Sequence, residues 1–354
     1  MTKLYRINKV ISNPLCETCL TTIILNQLIP YKYPRSRSVL TKKLKPLIVD
    51  GTIRRRVVYS LVKPKKSILD FCKKAIKLTA DEITELVVLL GDKILNKIKR
   101  NNIVLIAVLR SGLPLTQLLQ YYYFKKYGLK IKAISLSPNY IERVYDKLLL
   151  TSMANKNSEF VFVDGWVSTG LTYKILQKSW KKISSNKPFH FAALSNLSNI
   201  KNRKIISSAK EDILIPWSIS HTEYTELSNF FIDTISNESS AFIIKHSPIQ
   251  KNNFSTYKSK IDNIVKVHDK KINNIYQRTS DYGGNKKRVV GASRKIKIGI
   301  NECIKAIDKR DKITLYVGSK SRYKSLIIQY TNLNRLRHTI FVGDYVYIMK
   351  NITQ

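Results

Sequence analysis

The run Phe160-Val161-Phe162-Val163-Asp164-Gly165-Trp166-Val167-Ser168-Thr169-Gly170-Leu171-Thr172 sets a carboxylate directly after four apolar residues and just before a Ser/Thr/Gly turn. A buried strand that ends on an acid and turns into a helix suits a phosphate monoester. The backbone N–H groups and hydroxyls of residues 168–172, backed by the helix N-terminus, form the cradle. Asp164 is placed to accept hydrogen bonds from a sugar hydroxyl or to organise a metal-bound ligand. Ligands of open α/β sheets bind at that strand edge.

The elements that must position these residues follow from the apolar pattern. Ile103–Leu109 is a continuous apolar run, followed by Gly112 and a helical stretch from Leu113 to Tyr127. Further apolar runs at Ile131–Leu136, Phe160–Val163 and Phe189–Leu194 enclose a helical stretch from Leu171 to Ile183. Fully apolar strands alternating with helices indicate a doubly wound parallel sheet covered on both faces, an α/β fold. Ile213–Pro216 and Glu223–Ile235 are expected to add a short strand and a helix. Upstream, Ser67–Lys99 reads as a helical pair, with an N-cap at Thr79 followed by Asp81 and Glu82. Residues 1–66 read as a basic N-terminal arm, 67–244 as the main domain, and 245–294 as a polar basic linker with one helix around Ile261–Ile275. Residues 295–354 form a small second α/β unit: helix at Gly299–Ile307, strand at Ile313–Val317, helix at Leu326–Leu333, and strands at Thr339–Val342 and Tyr345–Met349.

The 160–172 segment resembles the phosphoribosyl pyrophosphate signature of type I phosphoribosyltransferases. Val108-Leu109-Arg110-Ser111-Gly112-Leu113-Pro114 resembles their pyrophosphate loop, especially the uracil-type version. Both motifs in the right order, with a βαβ unit between, are more specific than either by itself. Val163-Asp164-Gly165-Trp166 and Glu211-Asp212-Ile213-Leu214-Ile215-Pro216 are similar to a narrower family of this kind, associated with tellurium and stress-resistance operons. Some of its members carry the label cysteine protease StiP. This resemblance covers roughly residues 67–240 and implies a type I phosphoribosyltransferase-like domain. It further implies phosphoribosyl pyrophosphate or a similar ribose phosphate as ligand, with Mg²⁺. Asp164 and Arg110 would be the catalytic residues, and Ser111, Gly112, Ser168, Thr169, Gly170 and Thr172 would hold the ligand. Arg110, the loop N–H groups and Mg²⁺ would stabilise charge on departing pyrophosphate. Position 165 departs from most type I enzymes, which carry a second acid there; the narrower family shares the glycine. Ser137-Pro138-Asn139-Tyr140 stands where that family has an Arg-rich stretch, with Arg143 nearest. Proteolysis finds no support in these residues: no cysteine lies in 217–222 and no Cys/His pairing is suggested.

Members of the narrower family also carry a C-terminal RNA-binding domain called pelota-like. Here Ile298-Gly299-Ile300-Asn301-Glu302-Cys303-Ile304-Lys305-Ala306-Ile307 resembles the Gly-x-Asn-Glu-x-x-Lys-Ala signature of kink-turn RNA-binding proteins. That implies RNA contacts from Gly299, Asn301, Glu302 and Lys305, the last three on one helix face. The plain alternative is an amphipathic helix with exposed polar residues.

Composition leaves two readings open. The chain has 63 Lys+Arg against 24 Asp+Glu, formally +39. A polyanion such as RNA would neutralise that excess; solvated lysines of a Lys-, Asn-, Ile- and Tyr-rich chain are the alternative. Cys16 and Cys19 make half a zinc site that no second pair completes, and no metal ligand is assigned. No apolar run of about eighteen residues is present, so no membrane span is expected. The expected location is cytoplasmic, with an organelle matrix as alternative, and an oligomer is compatible. The expected function is a Mg²⁺-dependent phosphoribosyltransferase, or related ribosyl-bond chemistry, on a nucleotide-like or RNA-linked substrate. The alternative is a non-catalytic RNA-binding component on a degenerate phosphoribosyltransferase fold.

Overall fold

The computed structural model describes residues 7–13, 16–25, 27–31, 66–98, 102–108, 111–136, 158–184, 187–198, 200, 205–210, 212–219, 227–232, 239–244, 249–266, 296–308, 313–333, 336–341 and 346–350. Arg110, Arg143 and residues 137–140 lie outside them.

Strands β1 (Ile7–Asn13), β2 (Cys16–Leu25), β4 (Ile103–Val108), β5 (Lys132–Leu136), β6 (Glu159–Val167), β7 (His190–Asn196) and β8 (Ile205–Ala209) form one sheet. Their order is β1-β2-β5-β4-β6-β7-β8. Only β1 is antiparallel to its neighbour; the other pairs run parallel. The apolar runs lack alternation because both faces are covered. Along β4, Ile103 and Leu105 enter one core, while Val104, Ile106 and Val108 enter the other. In β6, Val161 and Val163 oppose Phe160 and Phe162 in the same way.

Helices α1 (Lys66–Ile98), α2 (Gly112–Tyr127) and α4 (Ile249–Lys266) contribute to the first core. Helix α3 (Leu171–Ile183) packs Tyr173, Leu176 and Trp180 into the second. The Trp180 ring lies 5.5 Å from Phe160 and 5.4 Å from Phe162, edge-on to the latter. The architecture is therefore an α/β fold with a central parallel sheet and helices on both faces. Among the described residues no helix is long and apolar enough to cross a membrane.

Several local expectations change. The helical pair at 67–99 is one helix of 33 residues. Thr79 does not cap a second helix; its hydroxyl donates to the Ala75 carbonyl at 2.8 Å, which lets threonine sit inside a helix. Part of the stretch read as an arm forms β1 and β2, paired onto the sheet through β5. Residues 213–215 join no strand among the described residues, and they lead into a 3-10 turn at Pro216–Ser218. Within 223–235 the described residues form a strand, β9 (Leu227–Ile232), rather than a helix. Its aromatic and β-branched residues favour extension. β9 pairs with β10 (Ser239–Ile244), which pairs in turn with β3 (Gln27–Tyr31). The helix of the linker lies earlier than expected, and Phe254, Tyr257 and Ile261 are fully buried in the first core.

The C-terminal elements are β11 (Ile296–Ile298), α5 (Ile300–Asp308), β12 (Ile313–Gly318), α6 (Lys324–Leu333), β13 (His338–Phe341) and β14 (Val346–Lys350). They make a four-stranded sheet in the order β11-β14-β12-β13.

Candidate functional site

β4 has β5 on one side and β6 on the other, so the winding of the sheet reverses between β4 and β6. Such a reversal opens a crevice beyond the carboxyl ends of the two strands. Two helices begin there. Ser111 is the N-cap of α2 and Gly170 the N-cap of α3, and neither helix has a side-chain cap from that residue. The first N–H groups of a helix lack intrahelical partners and carry the positive end of its dipole.

Asp164 sits between these helix starts and is nearly buried, at 8% exposure. Its Oδ1 accepts from the Ser111 hydroxyl and, at 2.8 Å, from the Gly165 amide. Ser111 thus ties the β4 loop to the acid of β6 instead of capping its own helix. Gly112 allows this contact, since a Cβ there would lie 2.0 Å from the Val163 carbonyl oxygen. A Cβ on Gly165 would lie 3.2 Å from Ser111 Cβ and 3.2 Å from Trp217 Nε1. The position expected to hold a second acid is therefore enclosed by packing.

The turn after β6 is open. Thr169 is exposed, while Ser168 and Thr172 are half-buried. Gly170 has φ +78°, and a Cβ on it would lie 2.4 Å from Ile200 Cδ1, so both backbone and space require glycine. The structure thus brings Asp164, Ser111, Gly112, Ser168, Thr169, Gly170 and Thr172 to one edge. Arg110 lies outside the described residues. Among the described residues no three His, Cys, Asp or Glu side chains gather as a metal site. One oxygen of the acid at the crevice accepts from Ser111 and Gly165.

The second motif is used within the chain. Asn301 is buried at 3% exposure; its Nδ2 donates to the Ile213 carbonyl at 2.7 Å and its Oδ1 accepts from the Ile215 amide at 2.9 Å. Glu302 accepts from Trp166 Nε1 at 3.1 Å. Gly299 has φ +91°, with Leu197 Cδ1 2.7 Å from where its Cβ would be. Lys305 falls on α5, one turn beyond Asn301. Sequence reasoning missed Asp212 and Trp217 as contributors. Asp212 accepts from the Ile300 amide with both oxygens at 2.9 Å, and Trp217 Nε1 donates to the Ser111 carbonyl at 3.1 Å. A tryptophan between Pro216 and Ser218 was the one signal for the latter.

Cys72 and Cys303 are the cysteines packed in the core. Cys72 is buried, with its Sγ donating to the Pro216 carbonyl at 3.8 Å. Cys303 is buried, and burial first, then Asp212 and Glu302, pushes its thiol well above the ordinary range. Neither has the exposed, electropositive setting of a nucleophile.

A family model described as "Tellurite-like stress resistance cysteine protease StiP" matches residues 55–236. No curated protein matches the chain. The family's description overturns the expected function: phosphoribosyl transfer with magnesium, and RNA binding by a pelota-like, kink-turn type of domain, are not what this family is described as doing. Stress resistance is the part that agrees. Within the chain, Gly165 lies against Ser111 and Trp217, and Asn301 bonds to the backbone of residues 213–215. With the match spanning just over half of the 354 residues, the sheet edge bearing Asp164 included, the chain belongs to the StiP family of tellurite-like stress-resistance proteins.

Proposed function

We propose that the chain serves stress resistance by holding a small, hydroxylated, phosphate-bearing molecule in the crevice at the carboxyl ends of β4 and β6. The observation that carries this reading is the convergence of two helix starts, uncapped by their N-cap side chains, on either side of a fixed carboxylate at the reversal of the sheet. The phosphate would lie on the 168–172 turn, where N–H groups and hydroxyls meet the positive end of α3. Asp164, held by Ser111 and the Gly165 amide, would accept a hydroxyl of the same ligand. A single pre-oriented acceptor beside an anion cradle selects polyol phosphates over bare phosphate. Calorimetric titration of ribose 5-phosphate into the full chain tests this. Binding that Thr169→Glu abolishes, by placing a negative charge in the cradle, is the expected result. Equal heats with both proteins, or none with either, would overturn it.

A second reading, thiol proteolysis, comes from the family's description. It requires a thiolate with a base beside it. The buried Cys72 and Cys303 do not supply one. Cys16 and Cys19 lie toward the amino end of β2, away from the edge that carries Asp164. Hydrolysis of labelled casein by the full chain, lost in Cys16→Ala or Cys19→Ala, would favour this reading over the first.

A further inference from the structure

We infer that the turn Gly299–Glu302 at the start of α5 is a latch through which the C-terminal unit holds the crevice in its working shape, with Asn301 as its positioning residue. The inference rests on the ligand-holding role of that crevice for its functional meaning and on geometry for its existence. Three consecutive residues of the turn make contacts across 86 to 136 positions of sequence. The Ile300 amide donates to Asp212, Asn301 clamps the backbone of Ile213 and Ile215, and Glu302 accepts from Trp166.

Each contact leads toward Asp164. Trp166 lies two residues beyond it on β6. The clamped 213–215 segment runs into Trp217, whose Nε1 donates to the carbonyl of Ser111, and the Ser111 hydroxyl donates to Asp164. Asn301 is suited to this work because its amide offers a donor and an acceptor in one plane, matching a carbonyl and an N–H two residues apart on an extended chain. An apolar residue would leave both backbone groups buried without partners. The backbone also requires this approach: Gly299 takes φ +91° and sits where a Cβ would be 3.2 Å from Asp212 Oδ1. Elsewhere the C-terminal unit meets α1 at Glu82, which accepts from Arg322 at 2.5 Å on the exposed side of the junction.

The two junctions give the test and its control. Hydrogen exchange of the full chain is compared for wild type, Asn301→Ala and Arg322→Ala. A latch raises exchange at the Gly112 and Gly165 amides about tenfold in Asn301→Ala, while Arg322→Ala leaves those amides as in wild type. Ribose 5-phosphate affinity falls about tenfold in Asn301→Ala and is unchanged in Arg322→Ala. Unchanged exchange in Asn301→Ala, or an equal rise in both variants, would overturn the latch. Wild type that fails to bind ribose 5-phosphate would overturn the ligand-holding role, while the exchange comparison still decides the latch.

Discussion

At Asp164 a carboxylate is fixed on one oxygen by a hydroxyl from a neighbouring loop and by its own next amide. The contact depends on two glycines with different reasons. Gly112 is required by close approach to the Val163 carbonyl, while a Cβ on Gly165 would fit tightly, 3.2 Å from Ser111 Cβ and Trp217 Nε1. Gly112→Ala should therefore lose about 3 kcal/mol, the upper end for overpacking, since its Cβ meets backbone rather than a flexible side chain. A urea midpoint equal to that of wild type would refute this. Cys303 offers a check on the thiol chemistry. Its buried thiol resists ionisation, so iodoacetamide at pH 8 should label it only after denaturation. Rapid labelling of the folded chain would contradict the described burial and reopen Cys303 as a nucleophile. Asp164 and the 168–172 turn were legible because strand, acid, turn and helix are consecutive in sequence. The role of Asn301 was not, because a polar helix face shows no partner until the 213–215 segment folds against it.

Between elements, the seam of α1 and α2 is held by a carboxylate. Asp92, buried at 6% exposure, accepts from Tyr122 at 2.5 Å, from Tyr127 at 2.7 Å and from Lys126 at 3.3 Å. Gly91 lets the helices close, since a Cβ there would lie 2.7 Å from Tyr122 Cδ1. Asp92→Ala should cost about 1–3 kcal/mol by stranding the buried Tyr122 phenol, and a Tm unchanged in a thermal melt would refute it. The same seam makes the fold sensitive to alkali. Burial first, then the charge of Asp92, holds the Tyr122 and Tyr123 phenols above their ordinary 10.0, and burial with Glu82 does the same at Tyr323. In the unfolded chain these phenols ionise near that value, so the stability they carry is present below it and lost as pH rises beyond. Tm should fall from about pH 9.5 upward, and Tyr122→Phe should make the fall shallower. The central strands and α2 and α3 could be read from sequence because both faces of the sheet are apolar. β1, at the edge, and β2 beside it could not, because their mixed Lys, Asn and Thr content carries little periodic signal. The continuity of α1 was hidden by Thr79, whose preference for caps is satisfied inside the helix by the Ala75 carbonyl.

Across the whole molecule, a parallel sheet with helices on both faces presents one edge, and the C-terminal unit closes against that edge through residues 299–302. The formal +39 charge adds self-repulsion to the folded state. Screening should relieve it, so Tm is expected to rise between about 20 mM and 300 mM NaCl, and a flat or falling Tm would show that local pairs neutralise the excess. Membership of a stress-resistance family fixes the broad setting, and the crevice gives the chemistry by which this chain would act in it. A crystal structure of the full chain with saturating ribose 5-phosphate tests that claim most directly. The account predicts the phosphate about 3 Å from the amides of residues 168–172, with a ligand hydroxyl at Asp164. An empty crevice, or phosphate density bound elsewhere, would contradict it.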